Sequence, residues 1–266
     1  MPRPAPGILG GPEPRAIDRA SCFHHDFDVL DGWNRAGPNG FHGQEWAGWC
    51  VFPGAVAQDG NPRREFMFFS FDGIDGGGKS TQMELFVDWL RQRGRQVTTC
   101  RDPGSTELGE RLREILLHKS DTPISRRAEM LLYMASRAQL VDQVIRPALA
   151  AGQTVVSDRF LLANVVYQGH AGGLAVEDLW RVGEVAVDGL QPARIFVLDL
   201  DVPAAARRMN RELDRMESQG LAYMQKVRDG YLAEAARRSE IVVIDAGRDV
   251  ASVQADIRRT AEEVLR

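Results

Sequence analysis

The chain has 266 residues, with 33 cationic and 37 acidic side chains, a formal net charge of −4, 44% hydrophobic and 26% charged residues. That length admits one large domain, or a domain with an appendage, of ordinary globular composition. A net negative chain lacks the overall basic field that gathers nucleic acid, and no run approaches the roughly 18 consecutive apolar residues of a membrane helix. Any anionic ligand must therefore be met by locally placed cations.

Residues 1–66 hold 8 of the 13 prolines, 10 of the 26 glycines, 3 of the 5 histidines and no lysine. No helical or alternating apolar period runs through them. They read as an N-terminal extension, either disordered or lying upstream of the true start; a small docking element built on Trp33, Trp46 and Trp49 is the third reading. The opening "MPRPAPGILGGPEPR" lacks the basic-then-apolar pattern of a secretion signal. Cys22, His24, His25, His42 and Cys50 match no paired Cys-x-x-Cys spacing, so no zinc site is read from them. Three scattered cysteines, Cys22, Cys50 and Cys100, make no disulfide framework and suit a reduced, cytoplasmic setting.

From Met67 the texture changes to apolar runs spaced by helix-length segments, and 67–266 reads as the folded domain. Five runs read as strands: 66–71, 97–100, 154–158, 194–200 and 240–245. Several are almost continuously apolar, as strands covered on both faces should be. Helical patterns fill 79–93, 108–118, 125–150, 176–188, 218–238 and 249–265. The alternation predicts a three-layer α/β fold, a five-stranded parallel sheet with helices on both faces. Ligands of such sheets sit at the carboxyl ends of the strands.

The first of those ends carries "FDGIDGGGKSTQ". Gly73, Ile74, Asp75, Gly76, Gly77, Gly78, Lys79 and Ser80 fit G-x-x-x-x-G-K-[ST], between a strand and a helix. Glycines let backbone N–H groups face an anion, and the helix that follows points its positive end at the same place. Together with Thr81 the segment reads as an ATP-binding phosphate loop, with Lys79 reaching the β- and γ-phosphates and the Ser80 hydroxyl ligating Mg²⁺. No Asn-Lys-x-Asp segment of a guanine-reading GTPase is present. Arg101 and Arg159 follow strands and Arg137 lies in a long helix; the planar forks of three arginines around one cleft suit a second, phosphorylated substrate.

Further segments, "RDPGSTELGERLREILL" (101–117), "AEMLLYMASRAQL" (128–140), "SDRFLLANVVYQG" (157–169) and "RIFVLDLDVPAAARRMNRELDRME" (194–217), together with the phosphate loop, resemble the thymidylate kinase family across essentially all of 67–266. The resemblance implies ATP- and Mg²⁺-dependent phosphorylation of dTMP to dTDP by a homodimer with no nucleic-acid or membrane partner. It implies that Asp75 accepts from the deoxyribose 3′-hydroxyl and that Arg101 and Arg159 grip the monophosphate. Asp158 would act near the metal, and Arg137 close to base and phosphate. Tyr133 would lie under the thymine ring, Asn164 would read the base edge, and Tyr167 would crowd a ribose 2′-hydroxyl.

The arginine-rich 207–219 resembles the family's mobile lid. Relatives carry a catalytic arginine either in the phosphate loop or in the lid, and Gly76 and Gly77 leave none in this loop. The resemblance then assigns the cation to Arg211 or Arg215, with Arg207 and Arg208 behind them. Two departures stand out: Asp102 and Ser105 replace glutamate and glycine of the family's Arg-Glu-Pro-Gly-Gly-Thr, and Gly172 stands where many relatives carry arginine. The alternatives are a phosphate-loop kinase of another nucleoside monophosphate and a non-catalytic nucleotide-binding regulator.

Overall fold

In the computed structural model of the chain, the described residues are 67–118, 122–209, 215–216 and 219–265. The extension 1–66, Arg211 and most of the expected lid lie outside the described residues. The described residues fall within one unit, Ala57–Arg266.

The elements run β1 (Phe68–Asp72), α1 (Lys79–Gln92), β2 (Val97–Arg101), α2 (Glu107–Leu117), α3 (Arg126–Leu140), a π-helical turn (Val141–Ile145) and α4 (Arg146–Ala150). After these come β3 (Thr154–Asp158), α5 (Leu161–Asn164), a second π-helical segment (Val165–Ala171), α6 (Val176–Val187) and β4 (Arg194–Asp199). The chain then forms α7 (Val202–Arg208), α8 (Leu221–Ala235), β5 (Ile241–Asp245) and α9 (Val250–Glu262). The five strands form one parallel sheet in the order β2-β3-β1-β4-β5, the sheet the apolar runs predict.

Alternation along β1 shows why both faces are covered. Phe69 and Phe71 enter a core with Phe86 and Trp89 of α1, Val227 of α8 and Ile257 of α9. Phe68 points the other way, into a second core with Met130 and Met134 of α3 and Phe160. Aromatic edges and faces meet in the first core, with Phe69 and Phe86 centroids 5.2 Å apart and Phe71 and Phe196 also at 5.2 Å.

Two helical segments escape the periodic reading. Leu161–Asn164 and Val165–Ala171 are buried almost throughout, so no polar face marks them as helical. α7 is short and begins at Val202-Pro203, capped by Asp201, whose side chain accepts from Ala204 N. The single helix expected over 125–150 contains a π-helical turn just before Pro147, which has no backbone N–H to donate to the turn behind it. Among the described residues no helix is long and apolar enough to cross a membrane.

Candidate active site

The carboxyl ends of β1, β2 and β3 open into a cleft of about 780 Å³, within the roughly 300–1,000 Å³ typical of ligand pockets. Seven cationic side chains line it against three carboxylates, so the chain's negative total hides a locally positive site. Of the residues read from the sequence, Asp75 through Thr81, Arg101, Tyr133, Arg137, Asp158, Arg159, Asn164 and Tyr167 all line this cleft. Gly73 and Ile74 lie beneath it, Ile74 buried in the core. Arg215 does not line the cleft, although its neighbour Met216 does.

The phosphate loop is shaped by what lies below it. Gly73 has φ +123°, and a Cβ there would come 2.6 Å from the Leu198 carbonyl oxygen. Gly76 has φ +82°, and a Cβ would overlap the carbonyl oxygen of Ala205 in α7. Lys79, buried at the first turn of α1, donates to Gly73 O (3.2 Å), Ile74 O (3.0 Å) and Asp75 Oδ1 (3.1 Å). Ser80 opens α1 beside it.

Asp75 also receives both of its oxygens' bonds from Arg159 Nη2, at 2.8 and 2.9 Å. Burial alone would raise the Asp75 carboxyl, but Arg159 and Lys79 hold it well below the usual carboxylate range. Arg159 itself sits at φ +65°, a left-handed backbone held by its N–H on Phe71 O (2.9 Å). Its Nη1 donates to Gly73 O and to the Tyr231 hydroxyl, both at 3.1 Å, and its guanidinium lies 5.0 Å from the centre of the Tyr167 ring. Burial drives the Tyr167 hydroxyl pKa well up, so it stays a neutral phenol beside this cation.

Behind the loop, Asp72 is fully enclosed. Burial pushes its carboxyl up to about 6, with the nearby Arg159 and a bond from Ser70 Oγ (2.8 Å) working against that rise. Asp158, at the end of β3, keeps a buried Oδ1 with no hydrogen-bond partner among the described residues. An orphaned carboxylate oxygen and the Ser80 hydroxyl in the same cleft suit a hard divalent cation that takes few protein ligands and fills the rest from phosphate and water. Among the described residues no group of three or more acidic, histidine or cysteine side chains forms a metal cage.

At the end of β2, Arg101 is half exposed and donates to Glu110 Oε2 at 2.7 Å. Arg137 is almost wholly buried: Nε donates to Asp102 Oδ2 at 2.6 Å and Nη1 to Asn164 Oδ1 at 3.2 Å. The shortened Asp102 therefore still reaches the helix arginine. Burial raises its carboxyl, and Arg137 opposes the rise. Tyr133 is buried one turn before Arg137 and faces the cleft. Gly172, where arginine was expected from the resemblance, offers its carbonyl to Arg126 Nη1 instead.

Sequence reading missed Arg113. It shares the inward face of α2 with Gly109, Leu112 and Leu116, donates to Pro103 O at 2.9 Å and lines the cleft. An arginine on the apolar stripe of an amphipathic helix is the signal that could have found it. Gln168 and Glu129, both buried, escape sequence reading as well, as does Arg248 beside Arg208 at the far end of the cleft. Arg215, read as a candidate catalytic cation, donates through Nη2 to Glu129 Oε2 and through Nε to Leu116 O (2.6 Å).

Comparison with known proteins follows the same lines. A family model described as thymidylate kinase matches residues 71–257. Thymidylate kinase of Symbiobacterium thermophilum is 46% identical over 75% of this chain and 94% of its own length. That of Thermosipho africanus is 40% identical over 75% of this chain and 99% of its own. A crystal structure of thymidylate kinase from Ehrlichia chaffeensis superposes with a TM-score of 0.60 at 25% identity, covering 73% of this chain and 98% of the other. A phosphate loop and an arginine-lined cleft at adjoining strand ends, in a chain this similar to those enzymes over nearly their whole length, place it: the chain belongs to the thymidylate kinase family.

Proposed function

We propose that the chain transfers the γ-phosphoryl group of ATP to dTMP, yielding ADP and dTDP. The observation that carries this reading is the shared cleft: Lys79 and its neighbours in the loop line the same space as Arg101, Arg113 and Arg159. A phosphate oxygen of dTMP attacks the γ-phosphorus while the bond to the β–γ bridging oxygen breaks. Little covalent work falls to the protein, which positions two anions and offsets their charge.

Gly73 to Thr81 wrap the donor phosphates, with Lys79 exchanging its loop carbonyls for β- and γ-oxygens. Arg101, Arg113 and Arg159 hold the acceptor phosphate in line. Asp75, kept ionised by its neighbours, accepts from the 3′-hydroxyl. Tyr133 supports the base, Arg137 and Asn164 meet its edge, and Tyr167 fills the space a 2′-hydroxyl would need. Ser80 and Asp158 would hold Mg²⁺, which when bound adds charge neutralisation at the transferring phosphoryl oxygens. The remaining cation comes from the lid, from Arg211 or from Arg215 once it leaves Glu129.

A homodimer is supported by exposed Leu108 and Ile115 on α2, Leu131 on α3 and Val185 on α6, with α3 packed against both of the others. A reduced, cytoplasmic setting accords with the free, buried Cys100.

The test is steady-state ADP formation with ATP and Mg²⁺ over dTMP, dUMP, UMP and dCMP. dTMP is expected to be the best substrate and UMP a poor one. Lys79→Ala should remain folded and lose at least about 100-fold in kcat; activity close to wild type in that variant would remove the phosphate-loop assignment.

A further inference from the structure

Hydrogen bonds of one polarity run through the acceptor pocket. Arg137 Nη1 donates to Asn164 Oδ1 (3.2 Å), Asn164 Nδ2 donates to Gln168 Oε1 (2.7 Å), and Gln168 Nε2 donates to Glu129 Oε1 (2.8 Å). The other oxygen of Glu129 accepts from Arg215. Arg137, Asn164, Gln168 and Glu129 are all at least nine-tenths buried, so water does not substitute for a lost partner at low cost.

The direction of this chain is forced from both ends. A guanidinium only donates, so the atom of Asn164 that faces Arg137 must be its carbonyl oxygen. A carboxylate paired with an arginine only accepts, so the atom of Gln168 that faces Glu129 must be its NH₂. Between those ends, each amide has a single orientation that satisfies its neighbours. Reversing Asn164 sets NH₂ against guanidinium; reversing Gln168 as well sets carbonyl against carboxylate.

We propose that Gln168 and Glu129 are positioning residues that lock the polarity of the Asn164 amide and thereby set which base edge the pocket accepts. The proposal rests on the reading of Asn164 as the residue that meets the base. Thymine and uracil present an N–H between two carbonyls; cytosine presents a bare ring nitrogen beside an amino group. An amide of fixed direction complements one pattern and meets the other with like atoms. An amide free to turn over serves both, and discrimination by hydrogen-bond mismatch is lost. Glu129 acts two steps from the ligand, and Asp102 fixes the far side of Arg137 in the same way through its 2.6 Å bond to Nε.

The experiment is the ratio of kcat/KM for dTMP to kcat/KM for dCMP, in the full chain with ATP and Mg²⁺, for wild type, Asn164→Ala, Gln168→Met and Glu129→Gln. Gln168→Met keeps the side-chain length and removes both links, leaving the 3.2 Å bond from Arg137 as the one remaining hold on the amide; the ratio is expected to fall about fivefold or more. Glu129→Gln is isosteric, lets residue 129 face Gln168 with either atom, and should move the ratio the same way by a smaller factor. It keeps the test open if the Met variant folds poorly. A purely structural role would lower both kcat/KM values together and leave their ratio in place. A ratio within twofold of wild type in Gln168→Met and Glu129→Gln, while Asn164→Ala collapses it, overturns the lock and spares the base-reading role. An unchanged ratio in Asn164→Ala removes the base-reading role and the lock with it.

Discussion

Asp72 and Asp75 are separated by two residues, and burial pushes the carboxyl of each upward. At Asp75, two bonds from Arg159 and one from Lys79 reverse that push. At Asp72, the neighbours are the hydroxyls of Ser70 and Tyr231 (2.8 and 3.3 Å), with Arg159 and Lys79 attracting and Asp158 repelling at longer range, and the carboxyl stays at about 6. The folded state thus holds the Asp72 proton more tightly than the unfolded chain, whose aspartate titrates near 3.8. Its contribution to stability is therefore greatest below about pH 4, declines as pH rises to about 6, and is flat beyond. The full cost is up to about 3 kcal/mol, since each tenfold gain in proton affinity is worth about 1.4 kcal/mol. Asp72→Asn removes it. Thermal unfolding should show the variant gaining several degrees on wild type at about pH 7.5 and little or nothing at about pH 4. An equal gap at both pH values would mean that the Asp72 proton does not differ between folded and unfolded chains.

α2 carries Arg113 and Leu117 to the cleft, and its start is fixed by Thr106, whose side chain accepts from Gly109 N at 2.9 Å. Thr106→Ala is expected to cost about 1 kcal/mol in urea unfolding and to raise KM for dTMP more than KM for ATP, because only the acceptor side is displaced. Equal rises in both would detach α2 from acceptor binding. The five strands are legible in the sequence because several are short, almost unbroken apolar runs and helix-length segments space them. The segment 161–171 is not: buried on nearly every side, it shows neither a polar face nor an alternation. Yet its turns bring Asn164, Tyr167 and Gln168 to one cleft. Motif spacing points to Lys79 and strand ends to Arg101 and Arg159, whereas Asp158 and the role of Arg137 come from the family resemblance; all five line the cleft. Glu129 and Gln168 meet across 39 residues of chain, and nothing local in either segment announces the pairing.

Across the whole molecule, the sheet order β2-β3-β1-β4-β5 sets the phosphate loop at the centre, between a half that ends in Arg101, Asp158 and Arg159 and a half that leads to α7 and the loop at Ala246. In the proposed function acceptor and donor thereby take separate halves of one sheet. A chain starting at Met67 is expected to keep the full activity of the longer one and to sediment as a dimer, and Leu131→Asp in it to sediment as a monomer. Loss of activity on truncation would assign work to residues 1–66; an unaltered sedimentation coefficient in the Leu131 variant would move the contact off α3. The seat of Gly76 on the Ala205 carbonyl also bears on how such an enzyme could be re-engineered. In the proposed function the catalytic cation comes from the lid, and at position 76 a carbonyl under the loop bars it from the loop itself. An arginine grafted at position 76 would need both a left-handed backbone and a lowered α7, so relieving the proposed lid arginines from that position would mean rebuilding the β4–α7 connection with it.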